Sequence, residues 1–429
     1  MDAERRIPAP TAGANPLVLA RADHPVSRRH IDPDALKILF RLQHLGFTAY
    51  LTGGAVRDMM LGRTPKDFDI ATDARPNQIR KYFANAFIIG RRFRLAHIRF
   101  RGGKVIEVAT FRKDPGPAVM AASPSGAVAE EASPQYAFGT PAEDAWRRDI
   151  TVNALFYDPV TATVIDYVGG VADLRQGRIR IIGEARERFR EDPVRIWRVI
   201  RYAARLGFAI DAEVGAAIRA ERGLLAGCSE ARLYEEFTKD LLGARAQAVF
   251  AGHREYGVLR LLLGAIGAAL EDDAAMFDVS SSLLAIADAE KEAGRSPGLD
   301  ELMVMLLWAW AAPPLAGAGP DPFTALKKAF LGAGMAVALP KGMRAQVIDL
   351  LTLTGRLVRA LGDGHMRWSV RQRPGYAFAS RLCFMISQGR VPEEGESFEL
   401  LFQKAFPNRP PQGGGRPRRR RRRKHPAAQ

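Results

Sequence analysis

The spacing of apolar residues along this chain is largely strand-like up to about residue 185 and has the period of a helix beyond it. A helix near Pro33 to Leu45 is predicted before the first strands. Alternation then dominates to about residue 185, and Gly102-Gly103 joins two segments as a hairpin. Beyond that point nearly every apolar segment repeats at helical spacing. The pattern predicts an α+β protein with strands over residues 97–100, 105–109, 150–157, 164–168 and 179–182.

Changes in composition divide the chain into predicted regions. Residues 1–30 are rich in Pro, Ala and Arg without a sustained period, which predicts a flexible N-terminal arm. Residues 114–140 collect Pro, Ala, Ser and Gly, which indicates a flexible insertion. The predicted order is the arm, a head over 31–184, a helical neck over 185–250, a helical body over 251–408 and a disordered polybasic tail over 409–429.

The segment that carries the most chemistry is a glycine turn followed by two carboxylates. Gly53 and Gly54 lie where an apolar strand breaks into a helix, which leaves backbone N–H groups exposed to a phosphate. Strand alternation then places Asp67 and Asp69 on one face, with the neighbouring apolar residues in the core. Two Mg²⁺ ions held by such carboxylates roughly 4 Å apart can activate a hydroxyl and neutralise a leaving pyrophosphate. The sequence therefore predicts a metal-dependent nucleotidyl-transfer site.

A third carboxylate is expected from the predicted hairpin. Glu107 alternates with Ile106 and Val108, so its side chain points to the opposite face of their strand. Glu107 is thus a candidate third catalytic carboxylate. An exposed strand residue without chemistry is the alternative interpretation.

The best-defined helix of the predicted neck begins at Glu191-Asp192-Pro193, where Asp192 can cap the first turn. Its basic and apolar residues separate onto opposite thirds of the helical wheel. A solvated face and a cationic binding face both fit this pattern, and its position directly after the predicted catalytic module favours a site. The cationic third holds Arg195, Arg198, Arg201 and Arg205, and the apolar third holds Ile196, Val199, Ile200 and Ala203.

The net charge of the 429-residue chain is +16, and half of it comes from one segment near the end. Residues 416–424 carry eight positive charges and no acid. Such a block contacts a polyanion by counterion release, or stays a solvated tail without a partner. The arginines predicted to bind RNA here are Arg418, Arg419, Arg420, Arg421, Arg422 and Arg423.

Cysteine usage and hydropathy give further expectations. Cys228 and Cys383 lie far apart without metal-ligand spacing, which indicates neither a disulfide framework nor a zinc site and favours a reducing, cytoplasmic location. The longest apolar run, residues 303–312, ends at Pro313-Pro314 and is too short to span a bilayer. No signal-peptide pattern starts the chain, so no membrane segment is expected.

Together these motifs resemble the family of class II tRNA nucleotidyltransferases and bacterial poly(A) polymerases over about residues 22–260. The resemblance implies a polymerase-β-type nucleotidyltransferase head with two Mg²⁺ ions and ATP as substrate. It also implies that Gly53, Gly54 and Arg57 form the phosphate turn. The catalytic set that it implies is Asp67, Asp69 and Glu107, of which the first two bind the metal.

Two further segments look like family motifs for the incoming nucleotide. Residues 147–155 resemble the motif that contacts ribose and triphosphate, in which Asp149 or Asn153 reads the 2′-hydroxyl and Arg148 meets phosphate. Residues 191–198 resemble the motif that recognises the base without a template. Arginine donates to ring nitrogens, and a carboxylate accepts from an exocyclic amine. Adenine and cytosine both present such an edge. The base-recognition residues so implied, Asp192, Arg195 and Arg198, do not separate ATP from CTP.

Other segments favour one of the two activities in this family. Residues 88–97, which include Arg91 and Arg92 as expected RNA contacts, resemble the basic signature of the polyadenylating branch. Residues 24–31 also resemble the polyadenylating branch, and the polybasic end is a third feature that favours it. The expected activity is template-independent polyadenylation, the Mg²⁺-dependent transfer of AMP from ATP to RNA 3′-hydroxyl ends with release of pyrophosphate. The expected setting is RNA processing and decay, with RNA 3′ ends and RNA-decay proteins as partners.

Two alternatives remain open at this point. A CCA-adding tRNA nucleotidyltransferase that uses CTP and ATP would carry the same catalytic residues. A basic RNA-binding protein with a degenerate head is a different class, and it is disfavoured because both aspartates and the glycine turn are present. The sequence defines no oligomeric state.

Overall fold

The computed structural model describes residues 15–90, 94–113, 138–317 and 321–407. The chain forms two compact units, Met1–Cys228 and Ser229–Gln429. Most of the predicted insertion over 114–140 and all of the predicted tail over 409–429 lie outside the described residues.

The first unit is built on an eight-stranded mixed sheet, which confirms the predicted α+β class. Its strands are β1 (Leu17–Leu19), β2 (Ala49–Thr52), β3 (Asp69–Thr72), β4 (Ala86–Ile89), β5 (Leu95–Arg99), β6 (Val105–Thr110), β7 (Leu155–Asp158) and β8 (Thr163–Asp166). Their order across the sheet is β1-β8-β7-β2-β3-β6-β5-β4. The pairing of β3 with β6 is parallel and the other pairings are antiparallel.

The first unit has helices between the strands of the sheet and further helices after its last strand. The α1 helix begins at Pro33, as predicted, because the Asp32 side chain accepts from the N–H groups of Asp34 and Ala35. A separate parallel pair joins β9 (Arg178–Ile179) to β10 (Ala209–Ile210). The helices are α1 (Pro33–His44), α2 (Gly54–Met60), α3 (Pro76–Tyr82), α4 (Pro141–Trp146), α5 (Gly170–Gln176), α6 (Ala185–Glu191), α7 (Val194–Leu206) and α8 (Ala212–Glu221).

Several strands differ from the sequence pattern in their bounds. The predicted strand over 150–157 begins only at Leu155, because Thr151–Asn153 close a 3₁₀ turn in which the Ala154 N–H donates to the Thr151 carbonyl. The strand predicted over 164–168 ends at Asp166, whose carboxylate accepts from three N–H groups of the following turn. The segment over 179–182 is a strand only at its start, and Ile181 makes an isolated bridge to Ile150.

Part of the predicted flexible arm is ordered at the edge of the sheet. Residues 17–19 form β1 and pair with β8, with Leu17 opposite Asp166. The following residues include two 3₁₀ turns, Arg21–Asp23 and Arg28–His30. The His24 ring bonds to the Ala162 carbonyl at 3.0 Å, which fastens this segment to the loop after β7.

The regular secondary structure in the described part of the second unit is helical, as predicted. Its helices are α9 (Glu230–Leu242), α10 (Ala246–Glu255), α11 (Leu259–Leu263), α12 (Ala265–Asp272), α13 (Ala274–Glu292), α14 (Leu299–Gly317), α15 (Pro322–Gly332), α16 (Lys341–Asp363), α17 (Tyr376–Gln388) and α18 (Phe398–Ala405). Both cysteines are free, as expected from their spacing.

The α14 helix is the apolar centre of the second unit. It packs against α13 and α16 and buries every residue from Leu302 to Trp308. The helix is longer than the apolar run, because it continues through Pro313 and Pro314 to Gly317. By length and composition α14 is the one helix among the described residues that could cross a membrane, and half of its apolar stretch is buried within the protein.

Candidate active site

A cleft of about 710 Å³ in the first unit gathers most of the predicted site residues. Seven basic and four acidic side chains line it, so the cleft is cationic overall and suits a polyphosphate. Its walls come from the start of α2, the loop before β3, residues 147–153 and the outer face of α7. The predicted residues that line it are Gly53, Gly54, Arg57, Asp67, Asp69, Arg148, Asp149, Asn153 and Arg198.

The two aspartates reach the cleft from different backbone settings. Asp69 is the first residue of β3, whereas Asp67 precedes the strand, so alternation within one strand does not place them as predicted. The Asp69 side chain is accessible from the cleft, yet protein atoms crowd it and remove part of its hydration. This desolvation raises the pKa of Asp69 to about 6, with the charge of Glu107 next in effect, Arg148 opposing and Asp67 adding to the rise. Two neighbouring carboxylates thus oppose the ionisation of Asp69.

Glu107 lies on the predicted face of β6, next to the parallel strand β3, because Ile106 and Val108 are buried on the other face. Its carboxylate contacts His97 Nε2 at 3.2 Å. Glu107 does not line the cleft. Within the part of the chain that the structure describes, no three His, Cys, Asp or Glu side chains come together as a metal site. The charge of Glu107 therefore acts on Asp69, but the Glu107 carboxylate contacts His97 and not the cleft.

The glycine turn brings backbone close to the side chains of Arg148 and Asp69. Gly53 has φ +71°, a conformation that favours glycine, and it precedes the first residue of α2. A Cβ on Gly53 would lie 3.6 Å from the Arg148 guanidinium and 4.0 Å from Asp69 Oδ2. The Gly53 N–H donates to the Leu155 carbonyl at 3.3 Å, so this donor holds the sheet rather than facing a phosphate.

Arg57 connects three parts of the cleft. Its Nε donates to Asp58 Oδ1 at 2.8 Å, and its Nη1 donates to Asn153 Oδ1 at 2.6 Å. The guanidinium also lies 5.7 Å from the centre of the Tyr202 ring on α7. These contacts fix the orientation of Asn153, which lies 96 residues after Arg57 in the sequence.

Arg148 is held in place by a buried carboxylate. Its Nη2 and Nε donate to Asp144 Oδ2 at 2.9 and 3.2 Å, and its Nη1 donates to the Asn153 carbonyl at 3.0 Å. The guanidinium lies 5.1 Å from the Phe156 ring centre. Asp144 is only 6% exposed, which makes it a rigid anchor for a cation that the cleft presents to a ligand.

Asp149 binds two arginines of the neck helix. Arg195 Nε donates to Asp149 Oδ1 at 2.9 Å, and Arg198 Nη1 donates to Asp149 Oδ2. Glu191 braces Arg195 from the preceding helix through a 2.7 Å bond. The predicted ribose motif and the predicted base motif are therefore one ion-pair network. Arg195 and Asp192 do not line the cleft, and the Asp192 side chain accepts from the Val194 N–H at 3.3 Å, as a helix-start residue does.

The α7 arginines are not one solvated stripe. Arg201 is buried, at 4% exposure, among the apolar residues of the helix. The cleft also contains residues that the sequence interpretation gave no role, namely Asp58, Arg63, Lys66, Arg147 and Tyr202. Lys66 stands beside Asp67, which is the signal that could have identified it. The predicted RNA contacts Arg91, Arg92 and Arg418–Arg423 lie outside the described residues.

Comparison with known proteins identifies the same regions. Residues 49–180 match the family described as the poly A polymerase head domain, and residues 207–270 match the probable RNA and SrmB-binding site of polymerase A. The chain is 42% identical over 259 residues to poly(A) polymerase I of Salmonella typhimurium, which is 58% of this chain and 54% of that protein. It is 37% identical over 210 residues to the CCA-adding enzyme of Bacillus pumilus, which is 49% of this chain and 50% of that enzyme.

A solved structure shares the fold over most of its length. The Bacillus stearothermophilus CCA-adding enzyme in complex with CTP superposes with a TM-score of 0.52 and 26% identity, over 87% of this chain and 98% of that one. The fold and the cleft therefore define a nucleotidyltransferase head followed by a helical region. The chain spans about half the length of the curated poly(A) polymerases that it matches.

Proposed function

We propose that this protein transfers AMP from ATP to the 3′-hydroxyl of RNA without a template. The observation that carries the proposal is the cleft in which Asp67 and Asp69 face Arg148, Arg198 and the glycine turn. In this reaction the hydroxyl oxygen attacks the α-phosphorus, a phosphodiester bond forms, and the bond to the leaving pyrophosphate breaks. The protein needs only to position the reactants and stabilise charge, which a rigid cationic cleft does.

The carboxylates fit a divalent cation. Asp67 and Asp69 line one cleft, and the pKa of Asp69 is raised to about 6 by desolvation first and by like charge second, a cost that a bound cation would relieve. Asp67 and Asp69 would hold Mg²⁺, which as a Lewis acid neutralises phosphate charge. Glu107 stays a proposed third carboxylate, whose negative charge adds to the attraction of this site for a cation.

The cations have separate tasks in this proposal. Arg148, anchored by Asp144, meets the phosphates. Asn153, oriented by Arg57, reads the ribose. Arg198, held by Asp149, forms the cleft wall against which the base lies, and Arg195 on the same carboxylate, together with Asp192, is proposed to fix that wall. Because arginines that are already paired move little, the wall is preorganised for one base edge.

Identity to known proteins supports adenylate addition over CCA addition. The poly(A) polymerase I match is longer and more identical than the CCA-adding match, 42% over 259 residues against 37% over 210. The CTP complex of the related Bacillus enzyme favours CCA addition as the second candidate. We place the activity in cytoplasmic RNA processing and decay, with decay proteins as partners, on the resemblance to bacterial poly(A) polymerases.

The test supplies the purified chain with Mg²⁺ and either ATP or CTP alone. One RNA is a generic single strand, and the other is a tRNA that lacks its CCA end. We expect long adenylate tails on both RNAs and little use of CTP. Efficient CTP incorporation on the shortened tRNA, with short products, would reject polyadenylation in favour of CCA addition.

A further inference from the structure

The face of the sheet beside the cleft carries three exposed apolar side chains. Phe87 is 49% exposed, Val105 is 41% exposed and Ile89 is 40% exposed. Alternation turns all three to one side, since Ala86 and Ile106 are buried on the other. Exposed side chains that cluster in this way mark a binding surface more often than isolated ones do.

The strand register connects this face with the aspartates. Phe87 lies directly opposite His97, and His97 lies opposite Glu107, so the three side chains share a face. The parallel register of β3 and β6 places Asp69 beside Glu107 on that face. The row from Asp69 to Phe87 crosses three strand spacings, about 14 Å at roughly 4.8 Å each.

The chemistry of this face suits a nucleic acid strand. The Arg99 guanidinium lies over the Phe87 ring at 4.6 Å from its centre, and the exposed Arg101 follows in the turn between β5 and β6. An aromatic ring and a guanidinium plane are both surfaces on which bases stack. The same two arginines neutralise phosphate.

We propose that this face, defined by Phe87, Ile89, Arg99 and Val105, binds the RNA strand just upstream of its 3′ end, with a base stacked on Phe87. The inference rests on the proposed function, because a 3′-hydroxyl at Asp69 requires the preceding nucleotides to leave the cleft. The sheet face is continuous with the cleft by register, and its cations match a polyanion. An apolar ligand would not require these arginines.

Direct binding tests the proposal without any reaction. Fluorescence anisotropy of a labelled oligoadenylate with the full chain, in the absence of ATP, gives the Kd. We expect Phe87→Ala to weaken binding about tenfold and Phe87→Tyr to stay near wild type, since stacking depends on the ring. Phe40→Ala is the matched control, because Phe40 on α1 is also exposed, at 38%, and also lies under an arginine, Arg28 at 5.9 Å. It should bind as wild type does.

The outcomes separate this surface from the proposed function. Equal Kd values for wild type and Phe87→Ala would overturn the surface. A change in molar mass by light scattering in Phe87→Ala would assign the face to a second copy of the chain and overturn it as well. In the reaction, Phe87→Ala should raise the KM for RNA and leave the KM for ATP unchanged. Failure of the wild type to incorporate AMP would reject the function while the binding result stands.

Discussion

Arg57 Nη1 donates to Asn153 Oδ1 at 2.6 Å and so joins the helix after the glycine turn to the 3₁₀ turn at Thr151–Asn153. The bond occupies the amide oxygen of Asn153 and leaves its Nδ2 to donate. Asn153 can therefore bind a ribose oxygen in one orientation only. The relative placement of the two turns is set by this pair rather than by either residue alone.

Asn153→Ala should lower kcat/KM for ATP by about tenfold and change kcat/KM for dATP much less, because one hydrogen bond to the 2′-hydroxyl is lost. Arg57→Lys should also lower the ratio of kcat/KM for ATP to kcat/KM for dATP. Lysine lacks the planar fork that reaches both Asp58 and Asn153. Steady-state kinetics with both nucleotides measures the ratio. Arg63→Lys in the same cleft is the control and should leave the ratio unchanged. Equal losses with ATP and dATP would exclude ribose reading by Asn153.

Asp69→Asn should raise the melting temperature in metal-free buffer. A carboxyl whose pKa is raised to about 6 in the folded state, from 3.8, costs stability once it ionises. That cost is complete above pH 6 and fades as the pH falls towards 3.8. Because the side chain is accessible, we expect a gain of only about 1 kcal/mol near neutral pH. Thermal unfolding of both proteins at several pH values measures it.

Two results would contradict this account of Asp69. One is a gain that does not shrink in acid, and the other is a variant less stable than wild type near neutral pH. Added Mg²⁺ should raise the melting temperature of wild type more than that of Asp69→Asn, because the ion binds the folded state through this carboxylate.

Gly170→Ala should destabilise the first unit at the contact between α5 and the 3₁₀ turn. A Cβ at this position would lie 2.3 Å from the Thr151 carbonyl oxygen, so α5 and the 3₁₀ turn would have to separate. We expect a loss of about 1–3 kcal/mol in unfolding free energy, measured by denaturant titration. Gly223→Ala is the control, since a Cβ there meets nothing within 4 Å. Equal unfolding free energies for the two variants would contradict this prediction, because they would show that the backbone at Gly170 and Thr151 moves apart without cost.

The polybasic end gives a prediction that rests on the sequence alone. Removing residues 411–429 deletes eight positive charges, so RNA binding should weaken and the slope of log Kd against log salt should flatten. Titrations of one RNA at several salt concentrations measure the slope. A slope equal to that of the full chain would show that the tail does not contact RNA.

Local patterns predicted much of the head. The Gly102-Gly103 hairpin and the exposed face of Glu107 follow from alternation over a few residues, and the start of α1 near Pro33 follows from the local pattern. Such features depend on neighbours in sequence, which is why periodicity finds them.

Long-range pairing explains most of what the pattern missed. Leu17–Leu19 is a three-residue strand whose partner β8 lies far along the chain, and nothing local distinguishes it from an arm. Asp149 was a separate nucleotide contact in the sequence interpretation, whereas its carboxylate is shared by Arg195 and Arg198 of another element. Arg201 is buried although the helical wheel groups it with cations that face the cleft. These relations depend on the tertiary fold.

The central claim is that Asp67 and Asp69 carry out nucleotidyl transfer in this cleft. The most direct measurement is incorporation of labelled AMP into an RNA 3′ end by wild type, Asp67→Ala and Asp69→Ala, with thermal unfolding as the check that each variant is folded. We predict folded variants whose incorporation falls at least about a thousandfold, the scale expected when charge stabilisation of the transition state is removed. Incorporation near the wild-type rate in either folded variant would contradict the claim.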